Sequence, residues 1–90
     1  MKLTYEWDEA KRQTNLRKHG LDFADVAHLE WDHAKVIEDT RFPYPERRYV
    51  AKVPDRVAGF FVVVFTPKTK PRIRVISFRA ATARETAAYE

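Results

Sequence analysis

Residues 59–80, GFFVVVFTPKTKPRIRVISFRA, decide how this chain folds. Phe60 to Phe65 are apolar at both parities, which is the pattern of a strand in the middle of a sheet with both faces covered. Gly59 precedes that strand, Pro67 and Pro71 bracket the turn after it, and Arg72 to Arg79 supply the last strand. In this last strand Arg72 and Arg74 share a parity with Ile76 and Phe78, while Arg79 shares the other with Ile73, Val75 and Ser77. Simple alternation therefore puts Arg79 at the end of the row opposite Arg74.

Working outward, Arg47 to Val53 reads as the preceding strand, stopped by Pro54 and Asp55, and Ala34 to Asp39 as the one before it. Leu3, Tyr5 and Trp7 alternate as a short edge strand does. Asp8 caps a helix from Glu9 to His19, and Gly20 ends it in the left-handed position. Asp22 is the N-cap of a second helix whose Phe23, Val26, Ala27 and Trp31 share a face and pack on the sheet. Thr82 and Glu85 form a capping box that starts a short terminal helix through Tyr89. The expected architecture is one α+β domain over 1–90: a mainly antiparallel four- to five-stranded sheet, two N-terminal helices and a short C-terminal helix.

Ninety residues leave no room for a second domain. Six Phe, four Tyr and two Trp supply the core, and the absence of cysteine removes disulfides, thiolate metal sites and a cysteine nucleophile. No apolar run approaches the ~20 residues that cross a bilayer, so no membrane association is expected and the cytoplasm is the expected compartment. Residues 1–40 hold six Lys or Arg against nine Asp or Glu, a net −3, whereas residues 41–90 hold eleven against four, a net +7. Eight of those eleven cations are arginines, whose planar fork pairs with phosphate, so the expected partner is an anion such as nucleic acid.

His19, His28 and His33 have no metal-ligand spacing, and no metal or other cofactor is expected. With two glycines there is no phosphate-binding loop, and Ser77, the one serine, lacks the elbow of a hydrolase nucleophile. What remains suits phosphodiester chemistry. Lys11, Asn15 and Lys18 lie on one helical face beside His19; Glu46, Arg47 and Arg48 stand at a strand start; Arg74, Arg79, Glu85 and Tyr89 come near the end. The plainer alternatives are a solvated helix face for the lysine stripe and a salt bridge to Glu85 for Arg79.

Trp7, Asp8, Lys11, Asn15, Lys18, His19, Gly20 and Phe23, then Asp39, Glu46 and Arg48, then Val62 to Thr66, Ile73 to Ala80, Glu85 and Tyr89 together resemble the BrnT toxins, over nearly the whole chain in order. Val53 stands where such toxins usually carry glycine, and Phe78 where a small alanine usually precedes the arginine, which puts a bulky ring beside Arg79. The resemblance implies a RelE-like fold, ribonuclease activity that suppresses translation and growth, and a BrnA-like antitoxin. The toxin–antitoxin complex would bind operator DNA. Cleavage would need no metal, because the substrate's own 2′-hydroxyl attacks the phosphorus, on free RNA or on the ribosome. His19 or Glu46 would take the hydroxyl proton, Arg79 with Arg47 or Arg48 would hold the developing charge, and Tyr89 or His19 would assist the leaving oxygen. Lys11, Asn15, Lys18 and Arg74 would bind RNA. The alternative from another class is a noncatalytic nucleic-acid-binding or protein-interaction module.

Overall fold

The computed structural model describes residues 3–55 and 59–89. In chain order these form β1 (Thr4–Trp7), α1 (Glu9–His19), two 3₁₀ segments (Phe23–His28 and Trp31–His33), β2 (Lys35–Glu38), β3 (Tyr49–Asp55), β4 (Gly59–Pro67), β5 (Arg72–Ala80) and α2 (Ala83–Tyr89). The five strands make one mixed sheet in the order β1-β5-β4-β3-β2. Three neighbouring pairs are antiparallel, and β1 lies parallel to β5 at the edge. No helix among the described residues is long and apolar enough to cross a membrane.

The local signals act as the sequence reading has them. The Asp8 carboxylate accepts from the backbone N–H of Ala10 (2.9 Å) and Lys11 (3.2 Å), and Gly20 closes α1 at φ 71°, its N–H donating to the Leu16 carbonyl. At α2 the capping box is complete: Thr82 N–H donates to Glu85 Oε1 at 2.9 Å and Glu85 N–H to Thr82 Oγ1 at 3.1 Å.

Three expectations are corrected. The second N-terminal helix is not an α-helix but two 3₁₀ segments, with Asp22 still capping the first. Phe23 and Val26 of the first segment and Leu29, which caps it, are buried and spaced by three, which matches three residues per turn, and Ala27 is left exposed. Pro54 does not stop β3, which runs to Asp55 with Pro54 opposite Phe60. β2 reaches only as far along β3 as Lys52, so the N–H that Pro54 lacks would have had no ladder partner there, while its carbonyl accepts from Glu30 N–H at 3.1 Å.

The third correction concerns the parity of β5. Val64 pairs with Ser77 and Phe65 with Val75, so Ile76 is an extra residue, a β-bulge. Beyond it the side chains change face. Phe78 joins Ile73 and Val75 on the covered side, where it is buried against Phe61 with ring centroids 5.4 Å apart. Arg79, opposite Val62, joins Arg74, opposite Thr66, on the other side. Arg74 and Arg79 thus share a face instead of standing on opposite ones, and the Phe78 ring lies across the sheet from Arg79 rather than beside it.

The covered face packs Ala51, Val53, Val63, Val75 and Phe78 against Phe23, Val26 and Leu29, each large side chain contributing roughly 1.5–3 kcal/mol by burial. Among the described residues no helix layer covers the other face. Val62 and Thr66 are nonetheless buried there, beneath the side chains and the 39–48 loop that surround them.

Candidate active site

That open face carries a groove of about 700 Å³, floored by Val50, Val62, Val64, Ile76 and Ser77 and walled by Asp39, Arg41, Tyr44, Arg48, Arg79 and Glu85. Three smaller depressions adjoin it. One is lined by Lys11, Glu46, Arg48, Thr66, Arg74 and Ile76, a second by Lys11, Asn15, Lys18, His19, Ile76 and Ser77, and a third, on the 39–48 loop, by Phe42, Tyr44, Glu46, Arg47 and Arg48 among others. The bulged residue Ile76 borders the groove and the first two depressions, so β5 joins residues from α1, the 39–48 loop and both ends of its own length into one basic surface.

The loop that supplies Arg48 is organised around Asp39, a buried carboxylate. It receives Arg41 through Nε and Nη2, both at 2.9 Å, together with the Arg41 backbone N–H and the Tyr44 hydroxyl. These donors hold the Asp39 carboxyl down at about 2, the Arg41 hydrogen bond acting most strongly. Asp39 N–H also donates to the Arg48 carbonyl at 2.7 Å, and the Arg48 guanidinium lies 4.2 Å from the centre of the Tyr44 ring. Asp39, Arg41 and Tyr44 are site residues that the sequence reading missed as such. Asp39 stood only among the residues that carry the family resemblance, and nothing marked Arg41 or Tyr44.

Each arginine on the face has a different partner. Arg79 holds Glu85 through Nη1–Oε1 and Nη2–Oε2, both 2.8 Å, and its Nη1 also donates to the Ala80 carbonyl. The salt bridge weighed as the plainer reading is therefore formed. Arg79 brings the Glu85 carboxyl to about 2, with the Thr82 N–H adding to it. Arg74 shares Glu6 of β1 with Arg72, at 2.8 and 3.2 Å. Of Arg41, Arg48, Arg74 and Arg79, Arg48 is the one with no carboxylate at ion-pair distance among the described residues. Arg47, by contrast, is exposed, with Tyr49 and Glu38 as the groups that stabilise its charge; it lies outside the groove and the two depressions at Ile76 and lines only the loop depression, with Phe42 and Arg48.

Glu46 is exposed and accepts from Lys68 Nζ at 2.9 Å; that bond, with Arg74 and Arg48 behind it, lowers its pKa below the ordinary carboxylate value. Lys11, Lys18 and His19 line the depression over Ile76 and Ser77. Asn15 lies on the same helix but is 7% exposed, and its amide is occupied: Nδ2 donates to the carbonyls of Phe78 (2.8 Å) and Leu21 (3.1 Å), while Oδ1 accepts from Phe78 N–H (3.1 Å). β1 pairs with β5 only as far as Val75, so the Asn15 amide takes the place of a neighbouring strand just past the bulge. Tyr89 ends α2, and its side chain lies outside the described residues. Among the described residues no three His, Asp or Glu side chains come together as metal ligands.

A family model described as "Ribonuclease toxin, BrnT, of type II toxin-antitoxin system" matches residues 7–85. The structure is similar to the crystal structure of the Brucella abortus ribonuclease toxin BrnT. The two are 38% identical, with a TM-score of 0.67, over 89% of this chain and 97% of that one. No match appears among curated proteins.

Proposed function

Since the chain belongs to the BrnT family of ribonuclease toxins of type II toxin-antitoxin systems, we propose that it cleaves single-stranded RNA without a metal ion and thereby stops translation and growth. A BrnA-like antitoxin would neutralise it, and the complex of the two would act on operator DNA. The observation that carries the catalytic reading is the single face on which the Ile76 bulge gathers Arg48, Arg74 and Arg79 around a shallow floor.

In this reading the 2′-oxygen attacks the adjacent phosphorus and the bond to the 5′-oxygen breaks, leaving a 2′,3′-cyclic phosphate and a 5′-hydroxyl. Glu46, held ionised by Lys68, takes the 2′-hydroxyl proton, and His19, across Ile76 from it, protonates the leaving oxygen. Tyr89 is the other candidate acid. Arg48, which has no carboxylate at ion-pair distance among the described residues, supplies positive charge for the phosphorane. Arg79 presents a fixed fork: after Glu85 and Ala80 are served, its Nε–H and one Nη2–H have no partner among the described residues. Lys11, Lys18 and Arg74 contact flanking phosphates. Asn15 serves the reaction by holding Phe78, and through it the bulge.

End-group analysis of RNA cut in EDTA tests this: cleavage persists and the products carry 2′,3′-cyclic phosphate. Activity lost to the chelator and restored by magnesium or manganese refutes the metal-free step, and 3′-hydroxyl ends refute attack by the 2′-hydroxyl.

A further inference from the structure

Phe42 is 63% exposed, a large apolar side chain in open water that lines the loop depression together with Arg47 and Arg48. It is not loosely held. Its ring meets Tyr44 edge-on, centroids 5.8 Å apart at 71°, and its carbonyl accepts from Tyr44 N–H at 2.9 Å. Tyr44 is anchored in turn by its hydroxyl on Asp39 and by the Arg48 guanidinium over its ring. Asp39 is the hub of the loop, since it also binds Arg41 through two side-chain nitrogens. Phe42 thus presents an aromatic surface on an anchored loop, next to the arginine that has no carboxylate partner.

The charges around it favour a nucleic acid over an apolar peptide. The carboxylates of this loop are spent on Arg41 and Lys68, which leaves Arg47 and Arg48 as its excess charge. Exposed aromatic faces interleaved with cations are how sequence-tolerant sites hold single strands, with phosphates on the cations and bases on the rings.

We propose that Phe42, backed by Tyr44, is a nucleobase-stacking subsite that holds one base of a single-stranded RNA beside the phosphate at Arg48. The subsite rests on the ribonuclease reading above and adds to it a requirement that the substrate be unpaired at that position, because a base inside a duplex offers no free face.

The test uses the full chain and short single-stranded oligonucleotides with 2′-O-methyl riboses, which bind without being cut, alongside cleavable RNA of the same sequence. Phe42→Ala should weaken binding about 5- to 150-fold, the range of base–aromatic stacking. Phe42→Leu should be as weak, since it keeps apolar bulk but no ring, and Phe42→Trp should bind like the unaltered chain. An oligonucleotide with an abasic site at the stacked position should not distinguish Phe42→Ala from the unaltered chain. Melting temperatures should stay within the error of the measurement, because the ring is exposed. If the unaltered chain binds and cuts RNA, and Phe42→Ala and Phe42→Leu do so equally well, the subsite is refuted while the ribonuclease reading stands. If Phe42→Ala instead loses only affinity for the antitoxin, the ring is a protein-docking surface and the subsite is refuted. If the unaltered chain neither binds nor cuts RNA, the ribonuclease reading has failed and the subsite falls with it.

Discussion

Replacing Asn15 separates two roles that lie on the same helix face. Its amide makes three hydrogen bonds, two of them to the backbone of Phe78, sixty-three residues away in sequence. In Asn15→Ala the Phe78 N–H, the Phe78 carbonyl and the Leu21 carbonyl lose their partners in a site that is nearly closed to water. Each stranded group costs about 1–3 kcal/mol, and water entering the space left by the amide serves some of them. Alanine recovers roughly half a kcal/mol through its better helix propensity. The net loss is therefore about 3 kcal/mol, a large part of the stability of so small a domain, and lowers the melting temperature by roughly 12–24 °C. Asn15→Asp keeps the shape but turns the donor into an acceptor facing two carbonyl oxygens. Its carboxyl is then raised in the folded state, so the penalty is present above the unfolded pKa of about 3.9 and shrinks as protonation restores a donor. Its deficit relative to the unaltered chain should be smaller at pH 4 than at pH 7. Urea and thermal unfolding followed by circular dichroism read both effects. A melting temperature unchanged in Asn15→Ala, together with weakened RNA binding, would refute the reasoning and return Asn15 to the RNA-binding stripe with Lys11 and Lys18.

Arg48→Ala should lower the cleavage rate about 10²- to 10³-fold, as removal of one oxyanion donor does, and Arg48→Lys should not restore it because lysine supplies no planar fork; Arg47→Ala should leave the rate nearly unchanged, and equal losses at both positions would contradict the placement of Arg48 alone in the groove. Glu85→Gln keeps the capping box yet removes the charge that fixes Arg79, so RNA binding should tighten at low salt while kcat falls; an unchanged kcat would show that Glu85 holds only the helix. Asp39 and Glu85 both have folded pKa values of about 2, below their unfolded values, so their stabilisation is present above about pH 4.5 and is lost as pH falls toward 2. Melting temperature followed from pH 5 to pH 2 should therefore decline less steeply in Asp39→Asn and in Glu85→Gln than in the unaltered chain.

Features that close within a few residues were legible in the sequence. Asp8 and Gly20 bound α1, and Thr82 and Glu85 start α2, because the groups that satisfy each other there are neighbours in the chain; the unbroken apolar run before Pro67 marks β4 as the central strand by its composition alone. The family was legible for a related reason: its motifs are local and come in order. The site was legible as residue types and not as an arrangement. Strict alternation sets Arg79 against Arg74, and only the register of β5 on β4, with Ile76 left over, turns them to one face. Asn15 looks like part of a cationic stripe until the end of β1 leaves Phe78 without a strand beside it. Phe23, Val26 and Leu29 fit a helix period of either 3.6 or 3.0, and packing against β3, β4 and β5 selected the tighter one. In each case the deciding partner is remote along the chain, and a one-residue change of register reverses which side every later side chain faces, so nothing in the local pattern can reveal it.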